Sequence, residues 1–412
     1  MSEIIPTTII GGGVIGCAIA FELSKKKGGN IVIIEKNDKI RAENQSSRNS
    51  GVIHAGIYYS KDETPIKASM CIRGNRLLYE FCDKYDVPSK KTGKIIVATN
   101  LLEEVYLDEV LKIARENRIP GVVKIKEEEI KNYEPNVKGI VALFVPTSGI
   151  IEPVEFVMRL NILAESQGAL FVTGNEVIGI SSTENYFIVT TKSGNLTESF
   201  KTKILINSAG LYSDKIAKLV NPDCPYEIEP VRGESSKFYK NKRNEILTKG
   251  MNVYPVPFGY YNDTGKQAIV TLNEYKRLLS ENILSKTVGA HLTPTFDYID
   301  GKHHIGNTVT IGPIKSVGFG KKDCGSGLKS KEIYAGKVKH FFPNLREDDI
   351  LLHQAGIMAT VKEHPDFIIE RDKKYPNCIN LIGIDSPGLT ASLSIAKYVR
   401  RLLRDELSTT QK

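Results

Sequence analysis

Short apolar runs alternate with helix-period segments from the start of this chain. Thr7 to Ile10 is apolar, Val14 to Lys27 carries a helical pattern, and a second apolar run, Asn30 to Ile34, ends in Glu35. The pattern predicts strand, helix, strand. The turn after the first strand reads Gly11-Gly12-Gly13-Val14-Ile15-Gly16, and Glu35 stands nineteen residues beyond Gly16. This is the βαβ dinucleotide-binding fingerprint. Gly11 permits the tight turn, Gly13 lets a pyrophosphate approach the backbone, and Gly16 allows the helix to pack closely on the sheet. The helix N-terminus then faces the phosphates. Glu35 can accept hydrogen bonds from ribose hydroxyls and would repel a 2′-phosphate, which argues against NADP. The fingerprint alone does not separate NAD from FAD.

Two further strand-turn-helix signals follow. One is Ile204 to Gly210 before a helical Ser213 to Val220; the other is Ile379 to Gly383, then Ser386-Pro387-Gly388 and a helix to about Leu407. Small residues at Asn207-Ser208-Ala209-Gly210 suit a backbone with a cofactor lying across it. Ser386 is expected to cap the last helix, with Pro387 at its first position, so that unpaired amides point at an anion. Between these signals lie alternating segments, Gly93 to Thr99, Tyr186 to Thr191, Met251 to Val256 and Thr308 to Ile311, which predict an antiparallel second sheet for the substrate. The expected class is α/β, a Rossmann-like cofactor domain interleaved with a mixed or antiparallel-sheet substrate domain. The boundaries read 1–90, 145–225 and 350–412 for the cofactor part, and 91–144 and 226–349 for the substrate part.

With 412 residues and 41% hydrophobic content, the chain can build two domains with proper cores. No signal-peptide pattern is apparent and no apolar stretch approaches the ~18 residues of a membrane span, so the expected compartment is the cytoplasm. Cys17, Cys71, Cys82, Cys224, Cys324 and Cys378 form no C-x-x-C pair, which predicts reduced buried thiols and no structural metal. The net charge of +8 is compatible with an anionic substrate, an acidic membrane surface or a nucleic acid. The lysines are dispersed in short clusters without interleaved aromatics, which favours a solvated surface and argues against a nucleic-acid partner.

The segment Ser46-Ser47-Arg48-Asn49-Ser50-Gly51-Val52-Ile53-His54-Ala55-Gly56-Ile57-Tyr58-Tyr59 resembles the flavin-contacting segment of L-2-hydroxyglutarate dehydrogenases and oxidases, within the D-amino-acid oxidase-like superfamily of FAD enzymes. Similarity extends through Lys67 to Cys82, Gly93 to Ala98, Pro146 to Glu152, Asn207 to Asp214, Pro230 to Glu234, Tyr254 to Pro257, Gly289 to Thr293 and Asp385 to Ala396. The resemblance implies FAD, non-covalent or histidyl, and hydride transfer from a secondary alcohol to flavin N5 while a base takes the hydroxyl proton. It places the cofactor against Gly11, Gly13, Val14, Ile15, Gly16, Glu35, Lys36, Ser47, Arg48, Asn49, Ser50, Gly51, Val52, Val177, Ala209, Gly210, Gly356, Ser386, Pro387, Gly388, Leu389 and Thr390. His54 is the first candidate for the base, because imidazole takes a proton near neutral pH and the motif sets it beside the ring. His291, in Gly-Ala-His-Leu-Thr, is the second. Arg232, in Pro-Val-Arg-Gly-Glu, is the expected anion clamp, since guanidinium pairs bidentately with carboxylate or phosphate; its alternative is an ion pair with Glu234. Arg48 can serve the substrate or the flavin phosphates. His303 and His304 read as an exposed turn without a role.

Two departures from the family pattern stand out. Met358 occupies a position where the family usually has an arginine suited to a substrate acid group, leaving unplaced lysines such as Lys315 and Lys362 as partners for a second carboxylate. The segment Phe258 to Val288 is longer than usual and carries an amphipathic pattern at Leu272, Tyr275, Leu279 and Ile283, with Lys276, Arg277 and Lys286 nearby. Such a helix, within 259–288, either packs on its own domain or docks on a membrane inner face or an anchor protein. The expected activity is oxidation of a small anionic hydroxy substrate, L-2-hydroxyglutarate first and sn-glycerol-3-phosphate as the alternative. An RNA-modifying flavoprotein and an NAD-dependent dehydrogenase are weaker alternatives. Electrons are expected to leave to a quinone or another separate acceptor, and an oligomer is compatible with the sequence.

Overall fold

The computed structural model describes residues 4–26, 30–40, 44–261, 268–281, 283–322 and 327–409. The first strand, Ile5–Ile10, lies parallel between Ile31–Ile34 and the long strand Leu196–Asn207, which in turn pairs in parallel with Cys378–Ile382. Both faces of this core are covered, which is why its strands read as continuous apolar runs. The parallel register brings the carboxyl ends of four strands side by side. Glu35, Gly11, Ser208 and Gly383 therefore follow one another along a single edge of the sheet. The three strand-turn-helix signals of the sequence meet at this edge, where open α/β sheets bind ligands.

A second sheet has the order Leu351–Val361, Ile228–Tyr239, Lys302–Ser316, His291–Ile299, Asn252–Pro255, Lys94–Ala98, Val141–Val145, Val123–Lys126. It contains three of the four alternating segments expected there. The fourth is corrected: Phe187–Ser193 pairs antiparallel with Leu196–Asn207 and extends the first sheet as a hairpin. Alternation reports one solvated face and cannot say which sheet a strand joins. The strand Leu351–Val361, counted with the cofactor part by a boundary at 350, pairs with Ile228–Tyr239 in the second sheet. His303 and His304 are not in a turn but on strand Lys302–Ser316, next to its hairpin tip.

Three helices crowd behind the ligand edge. The first helix, Val14–Ser24, packs on the last, Gly388–Thr409, which packs on Pro65–Tyr85. Glycines make this possible. A Cβ on Gly16 would lie 1.9 Å from the carbonyl oxygen of Gly11, and one on Gly74 would lie 2.2 Å from that of Thr390. The first helix ends at Ser24, short of the expected Lys27, which lies outside the described residues.

The amphipathic segment forms helix Leu272–Ser280 beside a small hairpin, Phe258–Tyr261 with Leu284–Thr287. Its Tyr275 and Leu278 are buried in the second domain's core cluster with Tyr254 and Val256, and the Tyr275 ring packs on Tyr106 at a centroid distance of 4.8 Å. The apolar face thus packs on its own domain, and the side chain of Lys286 lies outside the described residues. Among the described residues no helix is long and apolar enough to cross a membrane. Five cysteines are free and buried, Cys324 falls outside the described residues, and no metal-binding cluster occurs among the described residues.

Two glycine substitutions test the packing. Gly74→Ala should lower the thermal midpoint, at a cost of about 1–3 kcal/mol or more from overpacking against backbone. Gly336→Ala, on an exposed helix with nothing within 4 Å of a new Cβ, should instead stabilise by roughly 0.4–1 kcal/mol. Equal midpoints would contradict the close helix contact at Gly74.

Candidate active site

An elongated cavity of about 990 Å³ runs along the carboxyl edge of the parallel sheet and ends against the second sheet. Its size is at the upper end for ligand pockets and suits a dinucleotide lying beside a small substrate. At one end Glu35 is buried, accepting hydrogen bonds from the backbone N–H of Gly12 at 2.7 Å and of Asn37 at 2.9 Å. Each carboxylate oxygen keeps lone pairs for ribose hydroxyls. Lys36 and Glu176 line the same end, and the Lys36 ammonium sits 3.5 Å from the Tyr212 ring centroid.

In the middle, Gly11 takes a left-handed φ of +101°, and a Cβ there would lie 2.5 Å from the carbonyl oxygen of Ser208. The backbone is therefore open to a close-lying phosphate only with glycine at this position. The turn Gln45–Arg48 closes over it. Ser46 Oγ accepts from the Val14 N–H at 2.9 Å, and Gln45 Oε1 accepts from the Ile357 N–H at 2.6 Å, tying this turn to both domains. Gly13, Val14, Ile15, Ser47, Arg48, Asn49, Ser50, Gly51 and Val52 line this stretch, with Ala209, Gly210 and Gly356 opposite. Ser386, Pro387, Gly388 and Leu389 complete the lining at the start of the last helix. Two helix N-termini thus point into one cavity, an arrangement that favours negative charge at both places. These features fit bound FAD: an acid for ribose, open backbone for pyrophosphate, and a second helix terminus farther along.

Some expectations are corrected by position. Gly16 and Thr390 lie behind the wall and act on it indirectly; Thr390 Oγ1 accepts from the His54 N–H at 3.1 Å. Val177 packs into the core beneath while its neighbour Glu176 faces the cavity, because side chains alternate along a strand. Ser386 does not cap the last helix, which begins at Gly388; its hydroxyl lies 3.4 Å from His54 Nε2. Pro387 correspondingly precedes the helix rather than opening it.

Arg232 is the largest correction. Along Ile228–Tyr239, Gly233 and Ser235 face the cavity, so Arg232 and Glu234 face the other way. Arg232 is 1% exposed, its Nε lies 3.8 Å from Glu234 Oε1, and its guanidinium stacks 4.6 Å from the Phe319 ring centroid. It is a buried structural cation and lines no part of the cavity. Lys362 is exposed on the surface, whereas Lys315 lines the cavity.

His54 and His291 both face the cavity, from different domains. His291 stacks flat on Tyr254, centroids 3.9 Å apart and planes 7° apart, and its Nδ1 lies 3.0 Å from Thr293 Oγ1. On the other side of Tyr254's strand, the buried Lys94 places its ammonium 3.6 Å from the Tyr254 ring centroid. Burial pushes Lys94 down to about 7. Burial first, and the Lys94 charge second, hold both imidazoles well below the usual histidine range. The groups facing this centre are Tyr58, Tyr59, Tyr254, Cys71, Lys94, Lys315 and Asp385. Burial raises the tyrosines and Cys71, so they stay neutral. Both histidines are therefore neutral proton acceptors at neutral pH. Sequence reasoning gave no role to Lys94 or Tyr254, although both fall in segments similar to the family. A lysine inside the apolar run Gly93-Lys94-Ile95-Ile96-Val97-Ala98 was the available signal, since buried lysines are rare.

Residues 7–402 match the family model described as FAD dependent oxidoreductase. An L-2-hydroxyglutarate dehydrogenase of Indibacter alkaliphilus is 29% identical over 95% of this chain and 96% of its own length. A mitochondrial L-2-hydroxyglutarate dehydrogenase of Caenorhabditis elegans is 31% identical over 95% and 91%. A glycerol 3-phosphate dehydrogenase of Caloramator mitchellensis is 30% identical over 96% of this chain and 73% of its own. Among solved structures, the L-alpha-glycerophosphate oxidase of Mycoplasma pneumoniae with FAD bound superposes with a TM-score of 0.80 at 26% identity, covering 98% of this chain and 95% of that one.

Two variants test the site's electrostatics. Arg232→Ala should lower the thermal midpoint, by about 3 kcal/mol of stability for a broken buried pair, while KM of the folded fraction changes less than roughly threefold. A large KM rise at unchanged midpoint would return Arg232 to the substrate. In Lys94→Met, loss of a positive charge raises the histidine pKa values, so the acid limb of the flavin-reduction rate should move to higher pH. A pH profile identical to wild type would show that Lys94 does not act on the imidazoles.

Proposed function

Because the chain belongs to the FAD dependent oxidoreductase family, we propose that it oxidises the secondary alcohol of a small anionic hydroxy acid to a ketone, with L-2-hydroxyglutarate to 2-oxoglutarate as the preferred pair. The observation that carries this reading is the pair of neutral imidazoles, His54 and His291, with the ammonium of Lys315, on the walls of one dinucleotide-sized cavity. The full-length similarity to proteins named L-2-hydroxyglutarate dehydrogenase supports the choice of substrate.

Bound FAD supplies the acceptor for the hydride that leaves the substrate carbon. The residues that would hold it are Glu35 at the ribose, the Gly11 to Ile15 turn at the pyrophosphate, and Gly388 and Leu389 at the last helix terminus. His54 takes the hydroxyl proton as that carbon loses its hydride. Its position is set by the Thr390 bond to its backbone and by Asn75, whose Nδ2 donates to the His54 carbonyl at 2.9 Å. Ser386 beside Nε2 orients the ring. His291, kept rigid by Tyr254 and Thr293, faces the substrate from the opposite domain. These contacts hold the two imidazoles in place on facing walls of the cavity. Electrons then pass to a quinone or another separate acceptor.

The second reading is oxidation of sn-glycerol-3-phosphate, favoured by one observation. Met358 and the buried Arg232 leave Lys315 as the cavity-lining cation that acts on His291 among the described residues, and one phosphate needs one strong anion site.

Anaerobic mixing with each compound decides between the two. Loss of oxidised-flavin absorbance with L-2-hydroxyglutarate is the expected result; loss with sn-glycerol-3-phosphate alone would select the second reading. His54→Ala should slow that reduction by roughly 10²–10⁴-fold with a smaller effect on binding, and a normal rate would reject His54 as the base.

A further inference from the structure

Gly233 is the centre of a row of residues on the cavity side of the second sheet. In the register of the three strands Lys315 lies opposite Gly233 on one side, Gly356 lies opposite it on the other, and Met358 follows two residues along. All four line the cavity. With no side chain at 233, the surfaces of the flanking strands meet across it. A Cβ there would lie 3.1 Å from Pro313 Cβ and 3.5 Å from Met358 Cε. The row therefore presents one long cationic side chain and one thioether to the cavity that His54 and His291 also line, and the Lys315 charge is felt by His291.

We propose that Lys315 is the specificity-determining cation of this site, reaching over Gly233 into the space beside Met358 to hold the acid group of the substrate remote from the reacting carbon. This rests on the proposed oxidation of an anionic alcohol. Three observations support it. Among the described residues no carboxylate lies within 4.0 Å of the Lys315 ammonium. The acid that acts on it from a distance, Asp385, is already engaged by Lys67 at 2.9 Å. The Lys315 side chain is exposed to the cavity, where an anion can reach it, and the protein around it lowers its pKa. Arg232, the other cation on these strands near Gly233, faces away. A lysine offers a point charge on a flexible stem, so it can accept a carboxylate or a phosphate at this place, without the bidentate geometry an arginine would impose.

The test is calorimetric titration of the FAD-loaded protein with glutarate, which has both acid groups and no oxidisable hydroxyl, and in parallel with inorganic phosphate. Lys315→Met should weaken glutarate binding by roughly 30-fold or more. Lys315→Arg should bind it within a few fold of wild type, and the double variant Lys315→Met with Met358→Arg should recover at least tenfold, because the second substitution returns a cation to the same space from the facing strand. Flavin content and thermal midpoint show whether each variant is folded. Phosphate binding lost in the same variant, with glutarate unaffected, would assign Lys315 to phosphate and overturn the carboxylate role. Equal glutarate affinity in wild type and Lys315→Met, or no binding of either anion by wild type, overturns the proposal. The proposed reaction fails separately: wild type that binds glutarate through Lys315 yet shows no flavin reduction by either hydroxy compound would keep the clamp and reject the oxidation.

Discussion

Backbone meeting backbone is the constraint on which this structure depends. Gly16 sits against the Gly11 carbonyl and Gly74 against that of Thr390, at separations no Cβ could share. The first contact seats the first helix on the turn that follows its strand, and the second brings the long helix Pro65–Tyr85 against the last helix, on which the first helix also packs. Their closeness is what lets two helix N-termini, separated by most of the chain, face the same cavity. A looser bundle would splay the termini apart and lose the combined attraction for negative charge, which decays within a turn of helix. The long strand Leu196–Asn207 completes the frame by pairing with both Ile5–Ile10 and Cys378–Ile382.

The second domain contributes charge and rigidity, and its strand Leu351–Val361 adds Gly356 to the cofactor lining. Its strands carry Lys94, Tyr254, His291 and Lys315 toward the same end of the cavity. Burying Lys94 beside Tyr254 and near two histidines is costly unless something lowers the charge, and here that lysine is pushed down to about 7 and the imidazoles stay neutral, while Lys315 is exposed to the cavity. The result is a positively biased, proton-accepting pocket. That combination suits an anionic alcohol, because the anion is attracted while the base remains free to take a proton.

Fold class and the cofactor half were legible in the sequence because their signals are local. A glycine turn, an acid at the end of the next strand and small residues at two later strand ends each report on a few neighbouring residues. The hairpin Phe187–Ser193 was misplaced because alternation is the same in either sheet. Val177 and Ser386 were placed one step from their true surroundings, since a single residue's shift on a strand or at a helix start reverses what a side chain faces.

Arg232 and Lys315 mark the division most clearly. By itself the sequence determined that a dinucleotide fold with a flavin segment would form and that basic residues would be near it. Which of those residues enters the cavity was decided by strand pairing: Gly233 faces inward, so its neighbour Arg232 must face outward, and the register sets Lys315 opposite that glycine. Pairing between strands some eighty residues apart is a property of the assembled sheet. Local propensity does not encode it, because each strand is equally stable with either face turned in until its partners and the core beneath them are present.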